Sequence, residues 1–132
     1  MTDRAQQVEA IAAGAQHLLD KSQERARLLD GLLKAVNQSE AVRALIYASE
    51  SAAAAQPPLM DLLDIDEDQA RVVLDMQSRR LAAAERRTLS DEYERLTAEI
   101  SEYQLVVASP DLRREMVGTD RGEFLASYAE YT

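Results

Sequence analysis

Cysteine is absent from these 132 residues. Its absence excludes a disulfide framework, a thiolate metal site and a cysteine nucleophile, and it fits a reducing cytoplasm. Glycine and proline are scarce, at 4 and 3 residues, while Ala, Leu, Glu and Arg abound. Few breakers among residues that lose little rotamer freedom in a helix predict an all-α chain. No run of about 18 uncharged apolar residues occurs, and the start MTDRAQQVEAIAAGAQHLLDK lacks a basic leader followed by an apolar block. The expectation is a cytoplasmic protein that is neither secreted nor membrane-spanning. The length suits one domain, with no room for several. A net charge of −9 repels phosphate backbones, so direct DNA binding is not expected.

What is present is helical periodicity. Ala12, Ala15, Leu19, Ser22, Ala26, Leu29, Leu33 and Val36 recur at three- and four-residue steps, predicting one helix over 4–36 with a coiled-coil seam. At about 1.5 Å per residue it would be roughly 50 Å long, too long for one small globule to cover. Its partner is the stripe Leu89, Tyr93, Leu96, Ile100, Tyr103 and Val107, which predicts a descending helix over 85–108. The two form an antiparallel two-helix coiled-coil arm, with residues 37–84 as a small globular head of short helices and 109–132 as a C-terminal helical segment. Gly14 reads as a weak point in the first helix, costing about 1 kcal/mol relative to Ala.

Local punctuation subdivides the head. Asn37 with Glu40 reads as a capping box for a helix reaching about Ala48, and Asp66 with Gln69 as another. Pro57 and Pro58 are expected to interrupt helical continuation. The stretch from Ser49 to Gln56 contains four consecutive alanines, and its boundary stays open. Ser109 followed by Pro110 predicts an N-cap with proline at the first helical position. Gly118 and Gly122 mark a turn before a last segment bearing Tyr128 and Tyr131.

Candidate chemistry is thin. Arg71, Arg79, Arg80, Arg86 and Arg87 form a basic concentration that can be read as an anion site, because Arg forks bind carboxylate or phosphate. The plainer reading is a solvated face paired with acidic neighbours. His17 has no spaced partners that would complete a metal site. Asp61, Asp64, Asp66, Glu67 and Asp68 lack the Gly and terminal Glu of an EF-hand, and favourable charge at a helix start explains them better. The helix from 67 to 81 has two apolar faces, one with Ala70, Val73, Leu74, Gln77 and Leu81, the other with Val72, Met76 and the stems of Arg79 and Arg80. A helix apolar on two sides needs two partners. One is the head's own Leu45, Leu59, Leu62 and Leu63, and a second copy of the chain supplies the other.

From Asp66 to Glu85 the chain reads DEDQARVVLDMQSRRLAAAE, joining a cap, an apolar helix and an Arg cluster. Gln69, Ala70, Val73, Leu74, Asp75, Met76, Arg79, Arg80, Leu81 and Glu85 resemble the exit gate of the gyrase A family, the DNA-cleaving chains of DNA gyrase and topoisomerase IV. Arg25, Leu28, Leu29, Asp30, Gly31, Leu32, Ala35, Val42, Leu45, Ile46, Ala48 and Ser49 resemble the end of that family's ascending arm. Glu92, Tyr93, Leu96, Ile100, Tyr103 and Ser109 resemble its descending arm. The chain departs where the family usually has His at Arg27 and Leu at Ser78. It departs again where Ala82, Ala83 and Ala84 replace a Thr-Gly-Leu turn.

The resemblance implies a homodimer formed through the head, with Leu63, Val72, Met76, Gln77, Arg79, Arg80 and Ala83 at the interface. The two periodic stripes predict arm packing by Leu19, Leu29, Leu33, Leu89, Tyr93, Leu96, Ile100 and Tyr103. In the family, strand cleavage depends on a Tyr in an Arg-preceded winged-helix setting and on magnesium held by a toprim domain. Tyr47, Tyr93 and Tyr103 have other surroundings, so no catalytic residue, cofactor or metal is expected. The expected role is a non-catalytic interaction or scaffold module linked to DNA gyrase or DNA topology, with gyrase A or another protein as possible partner. The alternatives are a small all-α enzyme of chorismate-mutase type, using the Arg cluster for a dicarboxylate, and a plain coiled-coil spacer.

Overall fold

A computed structural model describes residues 3–76 and 83–131, with the side chains of 83–85 outside the description. It is all-α. The elements are α1 (Arg4–Asn37), α2 (Ser39–Ala48), α3 (Ala52–Leu63), α4 (Glu67–Met76), α5 (Ala83–Ala108), α6 (Pro110–Met116), α7 (Asp120–Ala126) and a closing 3-10 turn, Ala129–Tyr131. The chain divides into two compact units, Met1–Glu24 with Arg95–Thr132, and Arg25–Glu94.

The first unit packs the start of α1 against the end of α5. Ile11, Ala15 and Leu19 from α1 form a buried cluster with Tyr103 and Val106 from α5 and Leu125 from α7. The helix begins in a reciprocal cap that the sequence reading overlooked: the amide of Gln6 donates to Asp3 Oδ1 at 2.7 Å, and the amide of Asp3 donates to Gln6 Oε1 at 3.2 Å. The expected cap at Ser109 is present, with Ser109 Oγ accepting from the Leu112 amide at 3.1 Å. Proline at position 110 brings no amide to the end of α5, and the Arg113 guanidinium takes that place. Its Nη1 donates to the carbonyls of Val106 at 2.8 Å and Val107 at 2.6 Å. A cation on the last carbonyls of a helix also meets the negative end of its dipole.

Gly118 makes a left-handed turn at φ +81°. Gly122, expected in the same turn, lies instead inside α7, buried against the Met116 carbonyl. The turn needs only one left-handed residue, and the second glycine serves close packing.

The second unit holds the rest of α1, then α2 to α4 and the start of α5. Leu29, Leu32, Ala35 and Val36 of α1 are buried with Val42, Ala55, Leu59, Leu63, Ile65, Ala70 and Val73. The stripe on α1 is thus wider here than a two-helix seam, because several short helices belong to this unit. Arg25 pairs with Glu92 at 2.9 Å in this unit. In the first unit Arg4 reaches the Arg114 carbonyl at 3.3 Å.

Two local expectations fail for physical reasons. Asn37 does not cap α2, because it still belongs to α1, and the break falls on Gln38 (φ −124°, ψ 36°), which makes no side-chain cap. Pro57 and Pro58 do not stop a helix but lie inside α3, which Ser51 caps by accepting from the Ala54 amide at 3.0 Å. A proline denies its amide to the carbonyl four residues earlier. Here those carbonyls belong to Ala53 and Ala54, on exposed residues where water can satisfy them, and both prolines are exposed.

Candidate interaction surface

Helix α4 is held on α1 by an interlocked set of polar contacts. Asp66 and Gln69 form the predicted capping box: the Gln69 amide donates to Asp66 Oδ1 and the Asp66 amide to Gln69 Oε1, each at 2.9 Å. Gln69 is nearly fully buried, and its Nε2 donates to the Arg27 carbonyl at 2.6 Å. It comes this close because Gly31 has no side chain; a Cβ there would stand 2.9 Å from Gln69 Cβ. Arg27 closes the set with ion pairs to Asp66 and, at 3.5 Å, to Asp68. Arg27 is therefore an anchor for the start of α4. The Gln69 amide holds the Asp66 carboxyl below the ordinary aspartate range; burial opposes it, and the Arg27 guanidinium adds to the lowering.

That anchoring fixes which side of α4 faces inward. Gln69, Ala70 and Val73 are buried, whereas Val72, Leu74 and Met76 are half-buried and Arg71 and Asp75 exposed. Of the residues expected at a dimer face, Val72 and Met76 lie on the flank that the unit covers only in part. Leu63 is 3 % exposed and belongs to the core of its unit. Gln77, Arg79 and Arg80 lie outside the described residues, as do Ser78, Leu81, Ala82 and the side chain of Ala83. The arm positions Leu19, Leu29, Leu96 and Tyr103 are buried, and Leu33, Leu89, Tyr93 and Ile100 are half-buried.

Of the Arg cluster, Arg71, Arg86 and Arg87 are described. Arg71 pairs with Glu67 at 2.6 Å and Asp68 at 3.2 Å on its own helix, while Arg86 and Arg87 are exposed. No group of described His, Asp or Glu residues could hold a metal ion. No described helix is long and apolar enough to cross a membrane.

Sequence reasoning missed a second polar constellation, in the first unit. Arg121 contacts Glu102 Oε1 at 2.8 Å and places its Cζ 5.8 Å from the Tyr103 ring centroid and 5.2 Å from that of Phe124. Burial, then the Glu99 charge, raises the Tyr103 phenol above its ordinary value. The Glu102 hydrogen bond raises Arg121 further. Arg121 and its partners on α5 are 18 or more positions apart, so no periodicity joined them.

The architecture defines an all-α module built on two long paired helices. The chain belongs to the DNA gyrase/topoisomerase IV A-subunit family, whose match covers residues 4–120. It is 42 % identical over 124 residues to the DNA gyrase A protein of Streptomyces coelicolor, covering 94 % of this chain and 14 % of that protein. Against the DNA gyrase A protein of Mycobacterium tuberculosis it is 40 % identical, covering 94 % and 15 %. The chain thus spans about one-seventh of the length of these relatives. Membership of this family leaves the chorismate-mutase reading without support.

Proposed function

We propose that the chain is a non-catalytic dimerisation module of the gyrase A exit-gate type, in which two copies meet through the outward flank of α4. The observation that carries this is the division of α4 into a side anchored by Gln69, Ala70 and Val73 and a partly covered side bearing Val72 and Met76. Apolar side chains held at a surface by a rigid cap favour association with a second apolar surface. Gln77, Arg79, Arg80 and Ala83 continue the proposed interface. The relatives are components of DNA gyrase, and this supports work as a scaffold or interaction module connected with DNA topology, in the cytoplasm. Gyrase A is the first outside partner to test, since related surfaces can cross-pair unless local changes forbid it.

The absence of cysteine from the sequence makes the test direct. A single Met76→Cys substitution is expected to give a disulfide-linked dimer on mild oxidation, because a two-fold axis through α4 brings both copies of the position together. A Tyr47→Cys control, at a side chain 95 % exposed on α2, is expected to stay monomeric on the same gel. Equal cross-linking of the two variants contradicts the proposed interface.

A further inference from the structure

Arg121 shows what a guanidinium does in the first unit: it pairs with a carboxylate, Glu102, while lying near the rings of Tyr103 and Phe124. The same unit presents these ingredients again. A groove of about 490 Å³ is lined by Gln16, His17, Asp20, Lys21, Glu24 and Tyr131. Tyr131 is 63 % exposed, and its ring stands 5.6 Å from that of His17. His17 is backed by Tyr128, 6.0 Å away and inclined by only 16°, and Tyr128 meets Phe124 edge-on at 5.4 Å. The Tyr131 ring is thus the outer member of a braced aromatic shelf. Beside it, Gln16 Nε2 donates to Asp20 Oδ1 at 2.8 Å and orients that carboxylate. Among the described residues lining the groove the one cation is Lys21, a compact charge on a flexible stem with no plane to stack.

We propose that this groove receives an arginine side chain from a basic protein segment. Its guanidinium lies over the Tyr131 ring, and Asp20 accepts its N–H groups. An aromatic face attracts a cation through its quadrupole, and a planar guanidinium satisfies ring and carboxylate at once. The net charge of −9 favours the approach of a basic segment at long range. The groove lies in a different unit from α4, so the two proposals stand or fall separately.

The full chain is titrated with a hexa-arginine peptide, a hexalysine peptide and a hexa-citrulline peptide at fixed moderate salt, by calorimetry and by amide chemical shifts. The expected result is binding of hexa-arginine, weaker binding of hexalysine and none of hexa-citrulline, with shifts centred on residues 16–24 and 128–131. Tyr131→Ala and Asp20→Asn are each expected to weaken hexa-arginine binding by about tenfold, while Tyr131→Phe retains it. Both positions are exposed, and the Tyr131→Phe variant and the wild-type shift map need no altered packing to be read. Absence of binding, or equal binding by wild type, Tyr131→Ala and Asp20→Asn, overturns the proposal, because diffuse attraction to an acidic surface does not depend on one ring.

Discussion

The carbonyl of Leu125 occupies the space into which a side chain on Gly14 would project, so α1 and the end of α7 meet backbone to backbone. A Cβ at Gly14 would overlap the carbonyl oxygen and stand 2.6 Å from its carbon. Leu125 is itself fully buried in the first unit. Helix propensity alone says that Gly14→Ala stabilises α1 by about 1 kcal/mol. Packing reverses that sign, because a Cβ here has backbone rather than a flexible side chain to displace. The substitution is expected to destabilise the protein by about 1–3 kcal/mol, read from urea unfolding at fixed protein concentration.

The start of α4 gives an acid-side prediction. Asp66 is held below its ordinary value by the Gln69 amide and then by Arg27. A lowered folded value means that the native state favours the carboxylate. The resulting stability is present above the ordinary aspartate range, near pH 4, and is lost as pH falls through the folded value. Asp66→Asn is expected to flatten this part of the stability profile while keeping a cap. Asp66→Ala is expected to lower stability at neutral pH as well, through loss of the cap. Thermal unfolding from pH 6 down to pH 3 separates the two.

The alkaline side belongs to Tyr103. Its phenol is raised by burial and by Glu99. The folded state therefore favours the neutral phenol; that contribution is complete below the ordinary tyrosine value of about 10 and disappears as pH rises through the folded value. Tyrosinate absorbance is expected to show a late-titrating phenol that is absent in Tyr103→Phe.

The end of α5 depends on a side chain rather than on a glycine. Arg113 donates to the carbonyls of Val106 and Val107. Arg113→Ala is expected to cost about 1.5–3 kcal/mol in chemical unfolding, since hydrogen bonds from a charged donor are lost at partly buried acceptors. Arg113→Lys is expected to recover only part of it, having no fork to span two carbonyls.

Much of the helical plan was legible because it is written in repeats and caps. The three- and four-residue recurrence from Ala12 to Val36 marks α1, and Asp66–Gln69 and Ser109–Pro110 mark helix starts that the structure contains. What escaped was decided by contacts between distant residues or by exposure. Gly14 looks like a weak point until Leu125 is placed against it, and the need for a glycine at position 31 shows only once Gln69 is in place. Pro57 and Pro58 look like breakers until their exposed setting is known. The α4 surface was half legible: two apolar faces could be read, but the choice of inner face came from Gln69 reaching Arg27 across 42 positions.

The central claim is that two copies associate through the outward flank of α4. Solution mass across a dilution series, measured by sedimentation equilibrium, tests it most directly when the chain is compared with a Val72→Glu/Met76→Glu variant. The account predicts a dimer for the wild type and a folded monomer for the variant over the same concentrations; a wild-type monomer throughout, or a dimer indifferent to both substitutions, contradicts it.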